Sequence, residues 1–270
     1  MRIIAWPLTD VGRVRTNNED SFLVDDELGL YIVADGMGGH AGGAQASSVC
    51  VDVMRKIVRR GMDSVDLRGK EPPAAIAEIL TAAASEASAR IYDQAQTDMH
   101  LQGMGTTVCG LLLHDDRGYV VHVGDSRAYR LRNGTAQQLT VDHSWLNEQI
   151  QAGLITEAEA HGSDLKHIIT RSVGFERQVQ ADVVPVSVSP GDVFLLCSDG
   201  LANYVDASEL AELARDHFYA DLPHLCVDLA NQRGGDDNIT VIVMLACNDV
   251  DQRRPGRAFR KTFMDTMPPT

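Results

Sequence analysis

The sequence predicts an α+β layered fold, with antiparallel sheets covered by helices. Ten short apolar runs have strand character, and several are joined by hairpin turn signals. Two long helical patterns interrupt them between residues 44 and 96. Two shorter ones fall together between 207 and 232, ahead of the last apolar run. Strands grouped by hairpins, with paired helices between the groups, build antiparallel sheets under helical layers.

Taken in order, strands are expected near residues 2–8, 20–25 and 29–35. A helix follows from Ala44 to Arg60, because Ala46, Val49, Val53, Met54, Ile57 and Val58 share one face at a period of 3.6. A second runs from about Pro73 to Gln96 on Ile76, Ile79, Leu80, Ala83, Ala87 and Ile91. Strands return at 107–114, 118–124, 127–132 and 136–140. Asp115-Asp116-Arg117-Gly118 and Asn133-Gly134 supply the hairpin turns between them. Residues 143–180 mix short helical pieces with Gly, Ser and His and read as a small mobile excursion from the core. Strands at 181–187 and 192–198, helices at 207–218 and 221–232, and a strand at 239–247 complete the body. Residues 249–270, rich in Arg with three prolines and little periodicity, read as a disordered basic tail.

Composition narrows the function. A chain of 270 residues, 44% hydrophobic, buries a real core. A net charge of −14 argues against nucleic acid, whose phosphates demand clustered Lys and Arg. The same charge suits a collector of divalent cations, although surface solubility explains it as well. Five scattered cysteines lack zinc spacing or a disulfide framework and read as small core residues in a reducing compartment. No signal peptide is visible, and the longest apolar run, Ile239 to Cys247, is half of a membrane span. The expectation is a soluble, cytoplasmic, monomeric protein.

The most informative stretch is Val33-Ala34-Asp35-Gly36-Met37-Gly38-Gly39-His40-Ala41-Gly42, an apolar run that delivers a carboxylate to a glycine-rich turn. Asp-Gly alone also marks ordinary turns. Recurrence changes the reading: Asp125, Asp199 and Asp237 sit at the edges of other strand-like runs, and Glu19 and Asp20 precede the second. Six acids converging without cations would repel and raise one another's pKa values. Bound metals resolve that conflict, and an all-oxygen donor set favours Mg²⁺ or Mn²⁺ over Zn²⁺. Two ions sharing a carboxylate polarise a water and neutralise a phosphoryl group. Arg15 would add a planar fork for bidentate phosphate binding, with Arg13 its nearest competitor.

At these positions the chain resembles the bacterial branch of the metal-dependent Ser/Thr protein phosphatases of type 2C (PPM type). The matching motifs are Gly12 to Asp20, Asp35-Gly36-Met37-Gly38-Gly39-His40, Gly105-Thr106-Thr107, Gly124-Asp125-Ser126-Arg127, Ser198-Asp199-Gly200 and Asp236-Asp237-Asn238. The resemblance implies a four-layer α-β-β-α sandwich, with a catalytic domain over 1–248 and residues 143–180 as a flap beside the site. It implies Asp35 as the bridging ligand and Gly36 as a backbone carbonyl ligand. Asp199 and Asp237 would bind one ion, Glu19 the other, and Asp20 would hold metal-bound waters. Asp125 and Asp199 match a third, weaker metal site, Arg15 the phosphate-binding arginine, and Asn238 a supporting position.

One departure concerns the histidine proposed as general acid, which in the animal enzymes directly follows Asp-Gly. Here His40 comes three residues later, so it either reaches the leaving oxygen or caps the following helix. The implied reaction is in-line hydrolysis of phosphoserine and phosphothreonine by a metal-activated water, opposing a cognate Ser/Thr kinase. A pseudophosphatase or phosphoprotein-binding module is the alternative. Its signature, loss of a metal carboxylate, is missing: Glu19, Asp35, Asp199 and Asp237 are all present.

Overall fold

A run with almost no polar positions must be buried on both faces, and two such strands illustrate it. In the computed structural model, which describes residues 1–38, 42–64, 72–156, 159, 165 and 168–248, these are β3 (Leu30–Ala34) and β12 (Ile239–Cys247). Before and after β3 come β1 (Arg2–Asp10), β2 (Ser21–Asp25) and the two-residue β4 (Gly36–Met37). Helices α1 (Gly42–Ser64) and α2 (Pro72–Thr97) follow, then β5 (Gly105–Thr106), β6 (Val108–His114), β7 (Arg117–Val123), β8 (Arg127–Arg132) and β9 (Thr135–Gln138). The last third holds α3 (Trp145–Gln151), β10 (Asp182–Ser187), β11 (Val193–Cys197), α4 (Asp199–Ala202), α5 (Ala207–Asp216) and α6 (Leu222–Arg233). His40, His161, His167 and the 249–270 tail lie outside the described residues.

Two antiparallel five-stranded sheets stack, in the orders β1-β12-β11-β8-β9 and β10-β7-β6-β3-β2. Side chains alternate between two cores, as the period of two requires. From β3, Leu30, Ile32 and Ala34 join the α1–α2 layer, where Met54, Ile76, Leu80 and Ile91 are fully buried. Tyr31 and Val33 point the other way, into an inter-sheet core with Leu111, Phe194, Ile242 and Met244. From β12, Val241, Val243 and Leu245 face α5 and α6, beside Leu210 and Cys226. The layers therefore run α-β-β-α, as the resemblance implies. Both strand prolines, Pro7 in β1 and Pro185 in β10, sit in edge strands, where a missing N–H costs no ladder bond. Asn133 and Gly134 both have positive φ, 52° and 77°, the paired conformation of a two-residue hairpin turn. All five cysteines are buried, and none is in a disulfide.

Two features escaped sequence reading. The ribbon β4–β5 is too short for periodicity to register, and Asp199 opens a helical turn instead of ending a strand. Register then gathers the functional ends. Ser21 pairs with Ala34, Val108 with Val123, and Asp10 with Ile239. The residues just beyond these pairs, Asp20, Asp35, Asp125 and Asp237, all emerge at one end of the sandwich.

At the far end of β2, Asp25 ties the sheet to α1. Its carboxylate accepts from Arg55 Nε at 2.7 Å and Arg59 Nη2 at 2.9 Å, and from the Leu28 N–H at 3.1 Å. Burial raises this carboxyl's pKa, but the three donors outweigh it and hold it below the ordinary value. Both arginines are half exposed and regain water when the pair breaks, so Asp25→Asn should cost only about 1–2 kcal/mol in urea denaturation. A lowered folded pKa gives stability that is complete above the unfolded carboxyl's pKa, about 3.9. It fades as pH falls through the folded value. The deficit of Asp25→Asn should therefore be full at pH 7 and shrink below about pH 4; an equal deficit at both would refute the charge argument.

Candidate metal centre

Asp35 leaves the end of β3 with its backbone fixed by the neighbouring strands. Its N–H donates to Thr107 Oγ1 at 3.0 Å. Its carbonyl accepts from the Thr107 N–H and from Thr106 Oγ1, each at 2.9 Å. Thr107 Oγ1 in turn meets Ser126 Oγ at 2.7 Å. Two of the sequence motifs, Gly105-Thr106-Thr107 and Gly124-Asp125-Ser126, thus serve to aim Asp35. Gly36 follows where three chain segments touch. A Cβ there would sit 2.2 Å from the Gly43 carbonyl oxygen and 2.4 Å from that of Glu19, so only glycine fits.

Asn238 organises the opposite wall. Its side-chain oxygen accepts the Glu19 N–H at 2.8 Å, and its Nδ2 donates to the Val11 and Asn17 carbonyls, both at 2.9 Å. Its own N–H donates to Asp237 Oδ1 at 2.8 Å. One buried amide therefore holds the 11–19 segment against Asp237. Beside it, Asp20 Oδ2 accepts from Ser198 Oγ at 2.9 Å and Thr240 Oγ1 at 2.6 Å. Ser47 Oγ donates to the Glu19 carbonyl at 2.6 Å. Thr240 and Ser47 were not singled out from sequence. The only signal was a hydroxyl inside an otherwise apolar segment, as at Thr240 in β12.

Arg15 reaches this wall from solvent. Its Nη2 donates to Asp237 Oδ2 at 2.7 Å, while about half of its side chain remains exposed. The Arg13 backbone N–H instead donates to the Gly235 carbonyl at 2.7 Å. Arg15 is thus the arginine that lies against the carboxylates.

The electrostatics follow from this crowding. Desolvation lifts Asp35 well above the ordinary carboxylate range, reinforced by the charges of Asp20, Asp199, Asp125 and Asp237. Burial likewise pushes Asp20 and Asp125 up to about 7. Asp125 lines a cleft of about 190 Å³ with Asp199, Asp142, Asn203 and α3. Asp20 Oδ1 and Asp125 Oδ1 are buried without a hydrogen-bond partner. Such oxygens cost free energy unless a cation meets them. Among the described residues no three acidic, His or Cys side chains close to full coordinating geometry. The fit rests instead on the donor chemistry and the orphaned oxygens, which suit hard divalent ions. The structure brings Glu19, Asp20, Asp35, Gly36, Asp125, Asp199, Asp237 and Arg15 to one end of the sandwich. His40 is outside the described residues.

The geometry has close relatives. A sequence model described as "Protein phosphatase 2C" matches residues 12–228. The chain is 35% identical over 240 residues to "Serine/threonine phosphatase stp" of Listeria innocua, covering 87% of this chain and 93% of that one. It is 37% identical over 249 residues to "Protein phosphatase PhpP" of Streptococcus pneumoniae, covering 90% and 97%. Among solved structures, the catalytic domain of the Ser/Thr phosphatase PstP, in complex with two manganese ions, superposes with a TM-score of 0.76. That match is 32% identical and covers 92% of this chain and 99% of the other. The order of the motifs, the four layers and the carboxylate-lined end of the sandwich have one explanation: this chain belongs to the protein phosphatase 2C family.

Proposed function

We propose that this protein is a metal-dependent phosphatase that hydrolyses phosphoserine and phosphothreonine in proteins, using Mn²⁺ or Mg²⁺ at two core positions. The observation that carries the reading is the group of buried carboxyls around Asp35, each lifted by burial and by the others' charge. The relatives' names supply the substrate class, and the two manganese ions of PstP supply the precedent for the metal. When bound, such ions neutralise the phosphoryl oxygens and lower the pKa of water to near neutrality.

Each residue has its own task. Asp35 would bridge the two ions, with the Gly36 carbonyl beside it. Glu19 would hold one ion, and Asp199 and Asp237 the other. Asp20, anchored through Oδ2 by Ser198 and Thr240, leaves Oδ1 to accept from an ordered water. Arg15 would turn from Asp237 to clamp two phosphate oxygens, orienting the ester for in-line attack. Asp125 and Asp199 would share a third, weaker ion. His40 remains the candidate proton donor to the leaving hydroxyl. Residues 1–248 would form one catalytic domain with 143–180 as its flap, and the 249–270 tail would lie apart from it. Phosphoproteins made by a cognate Ser/Thr kinase would be the substrates, with the enzyme acting as a cytoplasmic monomer. Among the described residues no helix is long and apolar enough to cross a membrane.

The direct test is turnover of p-nitrophenyl phosphate in Mn²⁺, which EDTA should abolish. Asp35→Asn should remove essentially all activity and weaken both core sites in calorimetry; two unchanged sites would refute the bridging role. Arg15→Ala should raise KM for a phosphopeptide and weaken inhibition by free phosphate while metal affinity holds. Arg15→Lys should rescue poorly, since an ammonium makes no paired contact. An unchanged KM in both variants would dismiss Arg15.

The raised carboxyl pKa values also set the sign of a linkage. A folded pKa above the unfolded one gives stability that is fully present below the unfolded value and lost as pH rises through the folded one. In EDTA the thermal midpoint should therefore fall between pH 5 and pH 8. Mn²⁺ should raise it more at pH 8 than at pH 5, because at low pH the ions must first displace protons. Greater stabilisation at pH 5 would contradict the assignment.

A further inference from the structure

His143 lies at the root of the flap, buried, and its hydrogen bonds join the Asp125 turn, the start of β10 and the returning end of the flap. Its N–H donates to the Gly124 carbonyl at 2.7 Å, and the Gly124 N–H donates back to His143 Nδ1 at 3.1 Å. Gly124 directly precedes Asp125 and has a φ of 109°, a conformation that glycine adopts readily and other residues rarely. Because Nδ1 accepts, the neutral ring is assigned its proton on Nε2, which donates to Asp182 Oδ2 at 3.1 Å, with Arg171 Nη1 also 3.2 Å from Nε2. Asp182 opens β10, where the chain returns from the flap to the sheet. The His143 carbonyl accepts the Thr170 N–H at 2.9 Å, and Arg171 Nη1 donates to Asp182 Oδ1 at 3.0 Å and to the Gln180 carbonyl at 3.1 Å. The ring of His122, from β7, packs against that of His143 with centroids 4.6 Å apart. On the other side of Asp125, Arg127 grips Asp142 through Nε at 3.0 Å and Nη2 at 2.7 Å. Both residues flanking the Asp125-Ser126 pair are thus clamped to two consecutive residues at the start of the flap.

We propose that His143 is a positioning residue that sets the Asp125 carboxylate against the metal centre and locks the flap to it, so that an ion held by Asp125 and the order of the flap helix α3 depend on one another. The inference rests on the reading of Asp125 as a ligand of the weaker ion. Neither ring nitrogen of His143 is free to touch substrate, so its effect passes through Gly124 and Asp182. Residues that orient a metal ligand from behind typically alter affinity by about 10–100-fold when removed. Coupling between ion and flap is reciprocal by thermodynamic necessity.

The test is Mn²⁺ calorimetry on the full chain, together with hydrogen exchange of the α3 amides with and without Mn²⁺. His143→Leu removes both ring contacts. It should leave the two tight sites intact, weaken the third about tenfold or more, and abolish the slowing of α3 exchange by Mn²⁺. Asp125→Ala should abolish the same slowing. His143→Asn, which restores an acceptor for the Gly124 N–H, should recover much of the third-site affinity, which a merely structural filler would not do. Should His143→Leu lose its cooperative thermal transition, the comparison is read on His143→Asn and Asp182→Ala, the second cutting the other ring contact. Asp182→Ala should uncouple α3 while sparing most of the third-site affinity. A folded His143→Leu with unchanged third-site binding and unchanged α3 protection overturns the proposal. So does a wild-type protein with two tight sites and no third, which leaves the phosphatase reading standing. A wild-type protein that binds no Mn²⁺ overturns both.

Discussion

Like-charge repulsion at one end of the sandwich is the constraint on which the rest depends. Asp20, Asp35 and Asp125 lie in the field of one another and of Asp199 and Asp237, and burial, more than that repulsion, raises the pKa values of these three carboxyls. A fold tolerates such a group only if the surrounding packing fixes it and function repays the cost. Here the two five-stranded sheets supply the rigidity, and the charge is what draws divalent ions.

The supporting structure is made of small polar groups in otherwise apolar layers. Thr107, Ser126, Ser198 and Thr240 form buried hydroxyl contacts between strand ends, and Asn238 spends its whole amide on three backbone groups. Each hydroxyl or amide costs desolvation and is stable there because it is paired. The glycines do complementary work. Gly36 lets the Glu19 and Gly43 backbones approach, and Gly12, with a φ of 81°, lies where a Cβ would fall 2.2 Å from the Asp237 carbonyl oxygen. Carboxylates, hydroxyls and glycines together form a preorganised end of the sandwich, held by contacts already in place.

Residues 143–180 are joined to this machinery by polar contacts at their two ends, while Val173 is fully buried in the α1–α2 core and Leu146 is buried in α3. Leu154, Ile168 and Phe175 stay exposed, whereas His143, Asp182, Arg171 and the Arg127–Asp142 pair carry the connection. Polar hinges of this kind have directional geometry and modest net strength, so a segment held by them can be ordered or released by a small change at its root.

Much of this was legible in the sequence. Local periodicity placed the ten main strands and four long helices within a few residues, because burial on one face leaves a repeating trace in the chain. Turn chemistry placed Asn133-Gly134, and the placement of acids at strand edges marked Asp35, Asp125, Asp199 and Asp237 before any contact was known. Tertiary structure decided what local pattern cannot encode. Register brought those acids to the same end of two sheets. The single-turn helix that starts at Asp199 and the two-residue β4–β5 ribbon are shorter than any period. The partners of Asp20, Ser198 and Thr240, lie more than 170 residues away in sequence, and a hydroxyl inside an apolar strand does not announce the carboxylate it will meet. The kinds of group at the site were fixed by the chain; their mutual distances, and hence their pKa values and partners, were fixed by how its distant parts pack.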